Sequence, residues 1–195
     1  MANTQHDENG GHDDKSHESK MYLRFAAMIL TGMVVMYWVM FVGSWEGSHI
    51  RFSQSRIFMT LTMGGAMGLV MLAWMLNMYK SMKANLIVVA VSLLLLLGGA
   101  FLDRSQVTVD DIAFMRGMIP HHSLAITRSE RANIDDVRVC ELSVEISEAQ
   151  RREIAEMDWL IDDIEQNGVA STVEEAEARP VPDFGEPAQR ECPGG

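Results

Sequence analysis

The stretch ANLIVVAVSLLLLLGGAFL (84–102) runs for nineteen residues without a charged side chain and is nearly all Leu, Val, Ile, Ala and Gly. A helix needs about 20 apolar residues to cross the hydrocarbon core of a bilayer, so this segment reads as a membrane span. Working towards the N-terminus, Ile57 to Tyr79 and Phe25 to Trp45 are two more uncharged stretches of sufficient length. Three spans are therefore predicted. A cleaved signal peptide does not fit the first stretch. It is too long for such an apolar region, no small-residue cleavage site follows it, and two more spans come after.

This division changes the meaning of the whole-chain averages. The 195 residues carry a formal charge of −11 with 48% hydrophobic residues, and the mean hydropathy is only +0.02. Residues 1–20 contribute −3, residues 21–102 contribute +4 and residues 103–195 contribute −12. The acidity lies outside the apolar middle. Such a balance argues against a nucleic-acid partner, which would need a basic footprint. Lys and Arg near the span ends set the orientation. Lys15, Lys20, Arg24, Lys80 and Lys83 fall on one side, against Arg51, Arg56 and Arg104 on the other. The N-terminus is expected in the cytoplasm and the C-terminal portion outside.

Methionine is the compositional outlier, with 16 residues. Met59, Met63, Met67, Met71 and Met75 recur every four positions along the second span, and Met28, Met33, Met36 and Met40 add to the first. Thioethers are flexible apolar fillers of helix interfaces and also soft ligands for Cu(I), so packing and a path for soft cations are both open readings. Gly64 and Gly68 form a small-xxx-small pair that favours close helix packing.

Beyond Arg104 the pattern becomes that of amphipathic helices. Thr108 or Asp110 can cap a helix reaching towards Ala132, with acids in its first turn. Pro120 is expected to kink or break it just before the two histidines. Asn133 to Asp136 form a polar connection, and a second helix runs from about Asp136 to Gln166, stopping at Gly168. Its apolar row includes Val137, Cys140, Val144, Ile154, Met157, Ile161 and Ile164, while Arg151 and Arg152 read as a solvated, ion-paired face. The expected organisation is a disordered His/acidic tail (1–20), a three-span anchor (21–104), a helical hairpin (105–167) and a flexible acidic tail (168–195). A single hairpin cannot bury its own apolar face, so a four-helix bundle completed by a homodimer is the simplest solution.

The chemistry concentrates in MRGMIPHH (115–122). In helix spacing Asp111, Met115, Met118 and His122 share one face. His121 points about 100° away, and a kink at Pro120 could bring both rings to one centre. On the second helix Gln150, Glu153 and Met157 share a face. Imidazole with thioether suits copper or silver, whereas imidazole with Glu153 suits a harder metal. Cys140 sits on an apolar row as a small hydrophobe, with a bond to Cys192 open if the compartment is oxidising.

The stretch DIAFMRGMIPHHSLAI (111–126), followed by SERA (129–132), resembles the signature of the domain of unknown function 305 family. The second helix agrees through Ala149-Gln150, Glu153-Ile154 and Met157-Asp158-Trp159-Leu160. The resemblance covers about residues 108–165 and implies an all-α, ferritin-like bundle; some members are associated with copper or silver outside the cytoplasm. The matching positions are Met118, His121, His122, Gln150, Glu153 and Met157. Arg128 stands where many members carry a methionine, and one hairpin is present where many carry two, which strengthens the dimer expectation.

The expected function is that of a membrane-anchored, extracytoplasmic metal-binding protein in a bacterial inner membrane. It would sequester Cu(I) or Ag(I) or hand the ion to a transfer partner. Met118, His121, His122 and Met157 are the ligand candidates, with Met115 and Glu153 as alternates. A structural or regulatory module without metal is the alternative. A ferritin-like metalloenzyme ranks lower, because no Glu-x-x-His motif occurs, and no catalytic residue is assigned.

Overall fold

The computed structural model describes residues 10–192. Six α-helices follow in order: α1 (Gly10–Val39), α2 (Gln54–Met75), α3 (Met82–Ser105), α4 (Asp111–Arg131), α5 (Val137–Asn167) and the short α6 (Val173–Glu177). A 3-10 turn, Gly47–His49, lies between α1 and α2, and no strand occurs among the described residues. The chain divides into two compact units. One comprises residues up to Val39 together with Ser55–Val107; the other comprises Met40–Gln54 and the chain from Thr108 onward.

The first unit holds three helices long and apolar enough to cross a membrane. They present Leu30, Trp74 and Leu94 outward, as a lipid-facing surface would. Their interior gathers Phe25, Ile29, Met33, Leu72 and Tyr79. The methionine row wraps around α2: Met59 and Met63 are exposed, while Met67, Met71 and Met75 pack against the interior. A row of i, i+4 positions drifts around a helix of 3.6 residues per turn, so the split follows from geometry. Met33 seats over Gly64 and Met67 over Gly32, each where a Cβ would stand. Between α2 and α3 the approach is closer still. A Cβ on Gly65 would lie 2.5 Å from the Ser92 carbonyl oxygen, and one on Gly99 would lie 2.8 Å from that of Phe58.

Two boundaries differ from the sequence reading. Helix α1 begins at Gly10, inside the segment read as a disordered tail; of that tail, residues 1–9 with His6 lie outside the described residues. No glycine or proline interrupts residues 12–31, so the span extends N-terminally at little cost once formed. At its other end α1 stops at Val39. The last part of the apolar stretch, Met40 to Trp45, belongs to the second unit.

In the second unit α4 and α5 form an antiparallel hairpin. Asp110 caps α4, accepting from the Ala113 N–H at 2.8 Å, and Asp136 caps α5, accepting from the Arg138 N–H at 2.9 Å. Gly168 ends α5 at φ 81°, a left-handed conformation that suits glycine. The core comprises Met115, Ile119, Ile126, Ile154, Met157 and Ile161. Of the kink or break expected at Pro120, the break does not occur: α4 runs unbroken through it. Proline removes one backbone hydrogen bond there, and its ring is fully buried, so packing offsets the loss.

The buried row of α5 includes Cys140, Ile154, Met157 and Ile161 as expected, but it also runs through Ser143, Ser147 and Arg151, and Val137 is exposed. Arg152 does lie on an ion-paired face, 3.6 Å from Glu156. Arg151 does not. It is buried against Glu130 at 3.2 Å, and Ser147 donates to the same carboxylate.

The segment after Gly168 is not a free tail. Thr172 and Glu175 form a reciprocal capping box at the start of α6. Arg179 bonds Asp163 at 2.5 Å and the Gly168 carbonyl at 3.2 Å. Further on, Arg190 donates to the carbonyls of Ser129, Glu130 and Ala132, which end α4 and lack helical partners. The Gln189 N–H donates to Glu130, and Cys192 is disulfide-bonded to Cys140.

Candidate functional site

The hairpin register is fixed by side-chain pairs that cross it: Arg116 with Glu165, His122 with Glu153, and Glu130 with Arg151. His122 Nδ1 lies 3.5 Å from the Glu153 carboxylate, and Gln150 Nε2 donates to that carboxylate at 3.4 Å. One helical turn further along, on the same sides, stand Met118 on α4 and Met157 on α5. Met157 belongs to the apolar core, and Met118 packs against it. Met115, a turn beyond Met118, is buried in that core.

The sequence-derived candidates therefore divide. His122, Glu153 and Gln150 converge. Met115, Met118 and Met157 share the adjoining apolar core. His121 is exposed, and its ring centroid is 5.8 Å from that of His122 at an interplanar angle of 56°. In the unbroken helix the two imidazoles face different surroundings.

The His122 side chain is only 12% exposed, and its Nδ1 is buried without a hydrogen-bond partner. Burial pushes its pKa down. The Glu153 carboxylate raises it and His121 lowers it, with burial the largest effect. The ring is thus held in its neutral form, the state that can offer a lone pair. A buried nitrogen with no partner is costly, and a cation would satisfy it. The adjoining donor groups are the Glu153 carboxylate and the Gln150 amide, with the Met118 and Met157 thioethers one helical turn away. Among the described residues no three His, Cys, Asp or Glu side chains are grouped to hold an ion.

Behind the histidines lies a polar arrangement that the sequence did not announce. The fully buried Ser123 hydroxyl accepts from the Trp45 N–H at 2.7 Å and pairs with His49 Nδ1 at 2.9 Å. The Trp45 ring meets the guanidiniums of Arg131 and Arg151, each 5.2 Å from a ring centroid. Arg51 bonds Asp158 at 2.9 Å. The connection between α1 and α2 thus grips both hairpin helices beside His122. His49 and Trp45 sit among glycines and serines in a short connector, and no periodicity marked them.

Two comparisons bear on ancestry. The model of the family described as Domain of unknown function (DUF305) matches residues 111–191. "Uncharacterized protein L153" of Acanthamoeba polyphaga mimivirus is 33% identical over 106 residues, covering 50% of this chain and 68% of that protein. The chain belongs to the DUF305 family. The DUF305 match spans the hairpin and continues through α6 to the segment bearing Arg190. No solved structure matches the chain.

Proposed function

We propose that this protein is a membrane-anchored metal-binding module that takes a soft monovalent cation, Cu(I) or Ag(I), at the His122 centre. The observation that carries this reading is the buried, unpartnered Nδ1 of His122 beside Glu153, with two thioethers one turn away. Met118, His122, Met157 and Glu153 are the nearest candidates, and Met115 and His121 are outer ones. The hairpin is assigned to the extracytoplasmic face of a bacterial plasma membrane. The Lys and Arg bias supports that orientation, as does a disulfide that persists in an oxidising compartment. Sequestration or hand-over to a transfer partner follows from such a site. A homodimer is proposed because α5 leaves Val139, Leu142 and Ile146 exposed at i, i+3 and i+7, a stripe that a second hairpin would cover.

The test is calorimetric titration of the detergent-solubilised full chain with Ag(I), and with Cu(I) under reductant. Saturable binding lost in His122→Ala is expected, and unchanged affinity in that variant overturns the assignment.

A second reading is favoured by one observation, the 3.5 Å approach of His122 to Glu153. Here the pair is a polar contact of a structural or regulatory module without metal. That reading predicts no heat of binding and equal destabilisation by His122→Ala and Glu153→Ala.

A further inference from the structure

The open end of the hairpin carries a cavity of about 450 Å³, within the size range of small-ligand sites. Its hairpin side is formed by Phe114, Met115, Met157 and Leu160, and its outer side by Val169 and Val181 from the segment beyond α5. The outer wall is a built feature. The capping box of Thr172 and Glu175 shapes α6, and Arg179 ties that segment back to Asp163 and to the Gly168 carbonyl.

The charge of the cavity argues for an uncharged occupant. Arg179 and Asp163, both on its lining, neutralise one another, and Asp163 also accepts from Asn167 at 2.9 Å. Asp111, the remaining charged lining residue, is exposed in the first turn of α4, where the helix dipole favours an acid. The rest of the wall is aliphatic, aromatic or thioether. At the margin, Phe114, Val169 and Val181 are 54%, 57% and 43% exposed, and Val173 on the adjoining α6 is 68% exposed. These side chains leave an apolar rim open to the surroundings.

Chain connectivity limits which apolar molecule reaches it. Five residues separate the end of α3 at Ser105 from the start of α4 at Asp111. Such a tether extends at most about 20 Å, so Asp111, on the cavity lining, cannot lie farther than that from the end of a helix apolar enough to span a bilayer. The geometry points to this cavity as a binding site for the acyl chain of a membrane lipid. The alkyl chain lies against Met115, Met157 and Leu160, and Phe114, Val169 and Val181 meet the lipid surface. This assignment rests on the membrane anchor; Met115 and Met157 also stand among the ligand candidates of the His122 centre, and lipid labelling and metal titration test the two readings separately.

Photocrosslinking in vesicles tests it. The full chain is reconstituted in phosphatidylcholine vesicles containing a fraction of phosphatidylcholine with a diazirine-bearing acyl chain, and labelled peptides are mapped by mass spectrometry. Peptides of α2 and α3 serve as the internal positive control. Labelling of the peptides bearing Phe114, Leu160 and Val169 is expected. Ala176→Trp, which fills the cavity from α6, should lower that labelling severalfold and leave the span peptides unchanged. Val169→Asp, at the rim, provides a second variant with little effect on the core. Labelled spans with unlabelled cavity peptides would overturn the assignment. So would cavity labelling that neither variant reduces. Labelling by a free photoactivatable fatty acid but not by the lipid would overturn the membrane as the source.

Discussion

Trp45, in the connection between the first two membrane-type helices, stacks on the guanidinium of Arg151 with 5.2 Å between cation and ring centroid. Arg131 lies at the same distance from a ring centroid of that tryptophan. Two cations on one indole, with Arg151 itself buried, tie the connection between α1 and α2 to the hairpin. That connection and the hairpin belong to one compact unit.

Trp45→Ala should destabilise the hairpin unit by about 2 kcal/mol, combining lost cation–π attraction and lost apolar burial. Trp45→Phe should cost less. Thermal unfolding of the solubilised protein, followed by hydrogen exchange of α4 and α5 amides, measures both. Equal stability of the alanine variant would show that the stack contributes nothing.

Replacing Arg151 by Met leaves the Glu130 carboxylate buried without its cation, and the expected cost is about 3 kcal/mol. The pair also sets an acid limit. Burial pushes the Glu130 carboxyl up, but hydrogen bonds from Ser147, the Gln189 N–H and Arg151, with the charge of Arg151, hold it below the ordinary value. A carboxyl lowered in the folded state contributes stability above its unfolded pKa, about 4.3. That contribution is lost as pH falls through the folded value. Glu130→Gln should flatten the acid limb of a stability-against-pH curve, and an identical curve would refute the role.

The Cys140–Cys192 bond closes a loop of 52 residues in sequence separation. Loop-closure entropy assigns it up to about 4 kcal/mol. Cys192→Ser should lower the unfolding midpoint and speed proteolysis within residues 180–192. Added reductant should reproduce the change in the native chain and have no effect on the variant.

Glycines of the three-helix unit should differ in tolerance. A Cβ on Gly64 would meet the Met33 side chain, whereas one on Gly65 would meet the backbone of Ser92 and Leu96. A flexible thioether can move and a packed helix backbone cannot. Gly65→Ala is therefore expected to cost about 2 kcal/mol and Gly64→Ala less. Melting temperatures in one detergent rank the two, and the reverse order would refute the helix approach.

What the amino-acid order determined by itself was periodic or local. Uncharged runs marked three helices, 3.6-residue spacing marked the hairpin, and Thr108 or Asp110, Asp136 and Gly168 marked its ends. Each depends on side chains within a few turns of one another, so each is legible in a line of residues. The motif at residues 115–122 likewise placed His122 and Met118 on one helical face, and Gln150, Glu153 and Met157 on another. Only the tertiary structure decided that these faces meet, that His121 stays outside, and that Arg151 is buried. The same holds for the contacts of Trp45, His49 and Arg190 with α4, whose partners lie 58 to 86 positions away in sequence. Contacts at such separation leave no periodicity, because loop closure rather than helical repeat brings them together. A buried charge or an orphaned imidazole nitrogen is a property of what surrounds it, and the surroundings exist only in the folded chain.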